Sequence, residues 1–229
     1  MNFFDPSKTI AVFGATRGLG LAMAQIYREQ GFQVLSLSRS VDESFPGFPN
    51  GKKFDASKPD QWSQILNFLQ QSKISRWIYA AGGGPYGNFQ DKEWKDHEWA
   101  LNVSFRFPAF LAWHFLSPQF QHVQQMAVIG SSVAEDHPDP KAAMYCASKH
   151  ALKGLILSLQ QESPQRDLRL LSPPYMDTSM LPVNAWPRQH MDSKNLVQDP
   201  HVIAQLFCQS LEEAPSQHNK YLCVSIPKK

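Results

Sequence analysis

Along this chain, short runs in which nearly every position is apolar alternate with longer stretches whose apolar positions recur every three or four residues. The short runs are Thr9 to Phe13, Gln33 to Leu37, Trp77 to Ala81, Met126 to Ile129, Leu168 to Leu171 and Tyr221 to Ile226, with a brief one near Lys53 and Phe54. Runs that are apolar on successive residues predict strands covered on both faces, as in a parallel sheet. The longer stretches predict helices over Gly18 to Gln30, Pro59 to Gln71, Trp94 to Leu116, Tyr145 to Glu162 and Pro200 to Glu212. Asp60 and Pro200 stand where helix starts favour acids and proline. Strand and helix taken in turn predict βαβ units and a doubly wound α/β sheet.

Two stretches interrupt this rhythm. About a dozen residues separate the second and third strands, and they hold Pro46, Gly47, Pro49 and Gly51, so a short or irregular crossover is expected there instead of a helix. Ser172 to Pro187 is also proline-rich and is expected to form a surface loop, with Pro173 to about Leu196 a candidate lid. The 229 residues suffice for one sizeable core and contain no linker, which predicts one domain over residues 1–229.

Charge and cysteine content narrow the function classes. The 22 Lys and Arg against 20 Asp and Glu leave a formal charge of +2 with no long basic run, so nucleic acid is not the expected partner. Cys146, Cys208 and Cys223 form no CxxC pair, which fits free thiols in a reduced cytoplasm. The first strand begins after only eight residues, leaving no room for a signal core, and no apolar run approaches the ~18 to 20 residues that span a bilayer. A soluble cytoplasmic protein without a membrane partner is expected. The eight histidines show no HExxH or similar spacing, and no metal is assigned.

The first chemical signal lies between the first strand and the first helix. Gly14-Ala15-Thr16-Arg17-Gly18-Leu19-Gly20 follows Phe13 and precedes the helical run from Leu21. In that setting Gly14 permits a tight turn, Gly18 lets backbone approach a pyrophosphate, and Gly20 lets helix pack on strand. Free N–H groups at the helix start then face the phosphates, with Thr16, Arg17 and Leu19 in the same turn as candidate contacts. Such glycines also serve a strand-to-helix turn that binds nothing. At the end of the second strand Ser36-Leu37-Ser38-Arg39 offers no acid for a ribose 2′-hydroxyl, while Arg39 and Arg17 can clamp a 2′-phosphate from two sides. NADP(H) is therefore expected over NAD(H), although both arginines equally suit a solvated surface. Asp55, just past the third strand, is a candidate neighbour of the adenine and equally a surface turn residue.

The second signal is Tyr145-Cys146-Ala147-Ser148-Lys149. Residues four apart share a helix face, one turn apart. A nearby ammonium lowers a phenol from its usual pKa of about 10 towards the range useful for proton transfer, which makes Tyr145 a candidate acid and base. A packed aromatic beside a solvated amine has the same spacing. Upstream, Ser131 and Ser132 follow the buried strand, and Ser132 offers a hydroxyl at a strand end to polarise a substrate oxygen.

With Gly14-xxx-Gly18-x-Gly20, Asn102 in Leu101-Asn102-Val103, Ser132, Tyr145 and Lys149, the chain resembles the short-chain dehydrogenases/reductases along nearly its whole length. The resemblance implies a single-domain Rossmann-type doubly wound sheet and an NADP(H)-dependent oxidoreductase that interconverts a carbonyl and an alcohol by hydride transfer. It implies that Tyr145 donates or accepts the proton and Ser132 orients the substrate oxygen. Lys149 would hold the nicotinamide ribose while lowering the tyrosine pKa, and Asn102 would support a water in the proton relay. Pro173-Pro174-Tyr175-Met176-Asp177-Thr178 is similar to the family's Pro-Gly-xxx-Thr segment, which implies nicotinamide contacts from Pro173, Met176 and Thr178. Ala80-Ala81-Gly82 stands where the family often has Asn-Asn-Ala-Gly, putting Ala81 and Gly82 beside the cofactor. The chain departs from the pattern at Phe13, where Thr is common, at the missing Asn, and at Pro174, which replaces glycine, removes a backbone donor and fixes φ. Family members commonly pair subunits through helices matching Trp99 to Phe115 and the Tyr145 helix, which implies a homodimer or homotetramer.

In this architecture ligands sit beyond the carboxyl ends of the strands. The loops there supply Tyr86, His137, Tyr175, Met176 and Trp186, a set that suits a mostly apolar small-molecule carbonyl or alcohol and equally serves to cover core or interface. Two other readings remain. A nucleotide-binding sensor or regulatory protein without turnover draws on Phe13, Ala80 and Pro174, against the intact Ser132, Tyr145 and Lys149. A dihydropteridine-reductase-like enzyme draws on Ala80 to Gly87, which resembles that branch, although its members lack the serine that Ser132 supplies.

Overall fold

In the computed structural model, which describes residues 8–41, 51–135, 138–185, 188–189 and 197–224, every residue of the first strand, β1 (Thr9–Phe13), is buried. Side chains of a strand point alternately to its two faces, and β1 divides accordingly. Ala11 and Phe13 enter one core cluster, Ile10 and Val12 the other. The remaining strands are β2 (Gln33–Ser38), β3 (Lys52–Lys53), β4 (Arg76–Tyr79), β5 (Gln125–Ile129), β6 (Asp167–Ser172) and β7 (Tyr221–Cys223). They pair in the order β3-β2-β1-β4-β5-β6-β7, every pair parallel.

Helices α1 (Gly18–Glu29) and α6 (Pro200–Glu212) cover one face through Met23, Tyr27 and Phe207. Helices α2 (Trp62–Ser72), α4 (Phe107–Leu116) and α5 (Ala143–Glu162) cover the other through Leu69, Phe107 and Leu152. The sheet is thus buried on both faces, as its largely apolar runs require. The chain moves outward from β1 in both directions, so the crevice above the ends of β1 and β4 is a topological switch point, where ligands of such sheets bind.

Three details depart from the sequence-based reading. The strand expected to reach Ala81 ends at Tyr79; Ala80 still donates its N–H to the Phe13 carbonyl, after which the chain turns into Gly82 to Gly84. The helix expected from Trp94 to Leu116 is α3 (Trp94–Leu101) and α4 joined by a π-helical turn, Asn102–Arg106. Pro108 supplies a reason: it has no N–H for the Ser104 carbonyl and its ring crowds that group, so a widened turn relieves the conflict. The loop expected from Ser172 begins buried, since Pro173 and Pro174 are both covered, and Met176 forms a bridge with Gln198. The irregular crossover at 42–50 and the end of the last expected strand at Ile226 lie outside the described residues. Among the described residues no helix is long and apolar enough to cross a membrane, and no cluster of His, Cys, Asp or Glu suits a metal.

Candidate active site

The turn after β1 is held by glycines that nothing larger could replace. Gly14 has φ +82°, and a Cβ there would lie 2.8 Å from the Ala81 nitrogen; a Cβ on Gly20 would lie 2.4 Å from the Gly14 carbonyl oxygen. These contacts bring the start of α1 directly over the β1–β4 crevice. No side chain caps α1 and its first turn holds no acid, so its leading N–H groups and the positive end of its dipole stay available to an anion.

From this turn a groove of about 250 Å³ runs to Tyr145 and Lys149, and it is lined by every residue named above as a cofactor contact, from Gly14 through Arg39 and Asp55 to Thr178. At its outer end Arg17 and Arg39 are exposed, and Ser40 links back to Thr16 at 3.4 Å. The Arg39 guanidinium also lies over Trp99, which joins the lining. No acid stands at the end of β2. The Asp55 carboxylate accepts from the Ser57 N–H at 3.0 Å and the Ser57 hydroxyl at 2.7 Å, which orients it in the wall.

At the inner end Lys149, 2% exposed, donates from Nζ to the Ile129 carbonyl at 2.8 Å and lies 5.6 Å from the Tyr145 ring centroid. Burial pulls its pKa down to about 8. Burial also pushes the Tyr145 phenol up to about 12, with a hydrogen bond to Ser131 acting in the opposite direction. The expectation that the lysine brings the phenol below its usual value is thus corrected: in this ligand-free geometry desolvation is the larger effect. The phenol is held protonated, the form of an acid.

Beyond Tyr145 lies a second cavity of about 80 Å³, mostly apolar, with Ser131, Tyr145, Tyr86, Tyr175, Thr178 and Asp139 as its polar members. Met176 and Pro174 line it as well; His137 and Trp186 lie outside the described residues. A groove suited to an extended anion therefore ends at a proton-bearing group that borders a small apolar chamber.

The family model described as short chain dehydrogenase matches residues 8–187. The chain belongs to the short-chain dehydrogenase family. An uncharacterised oxidoreductase of Schizosaccharomyces pombe is 26% identical over 67% of this chain and 54% of its own length, so the chain spans little more than half of that relative. The chloroplastic chlorophyll(ide) b reductase of Arabidopsis thaliana is 24% identical over 92% of this chain and 67% of its own. Among solved structures, 4-hydroxyisoleucine dehydrogenase complexed with NADH superposes with a TM-score of 0.78 at 19% identity, covering 96% of this chain and 97% of that one. BdcA in complex with NADPH gives 0.79 at 18%, covering 96% and 93%. At these identities the likeness is one of fold.

Two of the expected site residues, Ser132 and Asn102, are not brought to either cavity. Ser131, not Ser132, lines the chamber and bonds the tyrosine. Ser131 caps the short turn Ser132–Ala134, accepting from the Val133 N–H, while the Ser132 N–H is tied to the Pro173 carbonyl. Asn102 lines neither cavity; its amide donates to the Ser57 carbonyl at 3.1 Å and accepts from Arg106 at 3.0 Å, fastening the π turn to the Asp55 loop. Sequence reasoning also missed Ser104. Fully buried, its hydroxyl accepts from the Gly83 N–H at 3.1 Å and donates to the Gly83 carbonyl at 2.9 Å, which secures the glycine loop where the family's asparagine is absent. A lone serine inside an apolar helical run was the available signal. Phe13, the other departure, packs against Phe54, Tyr79 and Phe107 and belongs to the core.

Proposed function

We propose that this chain is an NADP(H)-dependent oxidoreductase that reduces a small-molecule carbonyl to an alcohol, or runs the reverse, with Tyr145 as the acid and base. The observation that carries this reading is the placement of Tyr145 on the border between the groove and the chamber, bonded to Ser131 and flanked by buried Lys149. The uncapped α1 start, the tight glycine cradle, and Arg17 with Arg39 at an acid-free β2 end support a dinucleotide with a 2′-phosphate.

A bound nicotinamide supplies hydride to the carbonyl carbon. Tyr145 gives its phenolic proton to the carbonyl oxygen, so that hydride and proton together make the alcohol. Ser131 donates a hydrogen bond that orients the oxygen and then steadies the tyrosinate. Lys149, cationic at neutral pH, faces the ring of Tyr145 and stabilises the negative charge that forms there. Its Nζ stands beside Gly82, 3.4 Å from where a Cβ would lie, a place from which it can reach a ribose.

The relatives named oxidoreductase or reductase, and the solved structures whose titles name NADH or NADPH, support a nicotinamide cofactor. A homodimer or homotetramer is part of the proposal, supported by Trp113 of α4, which is 67% exposed and tested by sedimentation. The deciding experiment is binding of NADPH and NADH by nicotinamide fluorescence, followed by oxidation of bound NADPH with aldehydes, ketones and quinones. Tight NADPH binding with consumption by one class is expected. Binding without consumption by any class would favour a sensor without turnover.

A further inference from the structure

The chamber beyond Tyr145 contains a carboxyl group that the proton chemistry does not use. Asp139 is 7% exposed and lies just before α5. Its backbone is fixed by its neighbours: the N–H meets the Cys146 Sγ at 3.3 Å, and the carbonyl accepts the Ala142 N–H at 3.2 Å. The side chain is thus held in the wall by the start of the helix that carries Tyr145. The Tyr175 hydroxyl hydrogen-bonds the carboxyl group, yet Oδ1 is buried and has no hydrogen-bond partner among the described residues. None of the ion pairs among those residues includes it.

A buried carboxyl oxygen without a donor is costly, and native structures rarely leave one so. Burial raises the pKa of this carboxyl, with the Tyr175 bond opposing the rise, so desolvation is not fully compensated. The rest of the lining offers hydroxyls, from Tyr86, Ser131, Tyr145, Tyr175 and Thr178, among apolar residues such as Val133, Ala142, Pro85 and Leu181. A ligand entering this chamber therefore meets hydroxyl groups and a single carboxyl group that is short of donors.

We propose that Asp139 is a specificity-determining residue that receives an amine of the substrate, so that the chamber selects amino carbonyl compounds and the corresponding amino alcohols. The carbonyl oxygen lies at Tyr145 and the amine at Asp139, and the volume of about 80 Å³ keeps the two groups a few bonds apart. A plain ketone of the same size fills the chamber but brings no donor to the carboxyl group, and a site built for a donor rejects a ligand that lacks it. This inference rests on reading the chamber as the substrate site.

The test compares two alcohols of equal size, 1-amino-2-propanol and 2-butanol, titrated by NMR against the full chain in the presence of NADPH, with NADPH binding followed by fluorescence in the same samples. The expected result is amino alcohol binding at least tenfold tighter than that of 2-butanol. Asp139→Asn should weaken the amino alcohol at least tenfold while sparing 2-butanol, and Asp139→Leu should reverse the preference. Equal or absent binding of the two alcohols by the unmodified protein, or an amine preference that survives both variants, overturns the proposal. NADPH binding without amine preference removes the role of Asp139 and leaves the dinucleotide reading standing; amine preference without NADPH binding does the opposite.

Discussion

The groove from Gly14 to Thr178 starts at one contiguous turn, Gly14 to Gly20, which leads into the uncapped start of α1, with Arg17 and Arg39 exposed at that outer end, whereas the chamber beyond Tyr145 is walled by side chains from four separate segments, near Pro85, Ser131, Asp139 and Tyr175. A backbone-built site is encoded in a few contiguous residues, because the positions of N–H groups follow from the local turn. A side-chain-built site depends on which loops the fold brings together. Tyr145 lines both cavities, together with Pro173, Met176, Thr178 and Met180.

Tyr145→Phe is the severest test of that joint membership. It should lower carbonyl reduction by about a thousandfold or more while changing NADPH affinity less than twofold, measured by single-turnover kinetics and fluorescence titration. Gly20→Ala should act on the groove alone. Its Cβ would lie 2.4 Å from a backbone oxygen, so α1 must shift, at a cost of about 1–3 kcal/mol in urea unfolding and roughly tenfold or more in NADPH affinity. The amine preference of the chamber should persist in whatever protein remains folded.

Ser131→Ala and Ser132→Ala sharpen the inner boundary. The first should cost roughly ten- to a hundredfold in kcat/KM by removing a donor at the reacting oxygen, and the second less than about threefold; the reverse ranking would restore Ser132 to the site. At the outer end, Arg39→Asp should weaken NADPH about tenfold more than NADH, since it exchanges a phosphate-matching cation for an acid. Equal losses would remove the 2′-phosphate clamp from the groove.

The smallest effect is on stability. Lys149 in the folded protein titrates at about 8 against an ordinary 10.5, so above pH 8 the unfolded chain holds the extra proton and stability rises with pH. Cys208, raised from 9.0 to about 12, and Tyr145, raised from 10.0 to about 12, act in the opposite sense above pH 9 and pH 10, which confines the rise to about pH 8–9. Lys149→Met should abolish that rise and add on the order of 1 kcal/mol at pH 7, less whatever the Ile129 carbonyl loses with its donor.

The sheet was legible because a parallel strand buried on both faces is apolar on consecutive residues, as β1 and β5 are after their first residue, while β2 and β6 keep the pattern except at the buried Ser36 and Arg169 and at their ends. The glycine turn was legible for a related reason: only glycine tolerates the Gly14 conformation and the approach of Gly20 to Gly14. The grouping of Tyr145 with Lys149 followed from helix periodicity alone. In each case the deciding geometry is local, so residue order contains it.

The choice between Ser131 and Ser132 was different, because the two hydroxyls are adjacent in the chain and only the turn at Ser132–Ala134 decides which one meets the tyrosine. Asn102 was drawn away by partners at Ser57 and Arg106 across a π turn that the expected uninterrupted helix did not contain. Phe13 and Ser104 became intelligible only when the ring of Phe107 and the Gly83 backbone were seen against them. The sequence by itself determined the parallel sheet, the glycine turn and the Tyr145–Lys149 pair, since these depend on backbone conformation and on spacing within one element. Tertiary structure decided which serine faces Tyr145, what holds the glycine loop, and that Asp139 is buried beside the chamber with an oxygen that has no partner among the described residues, since each depends on segments distant in the chain meeting in space.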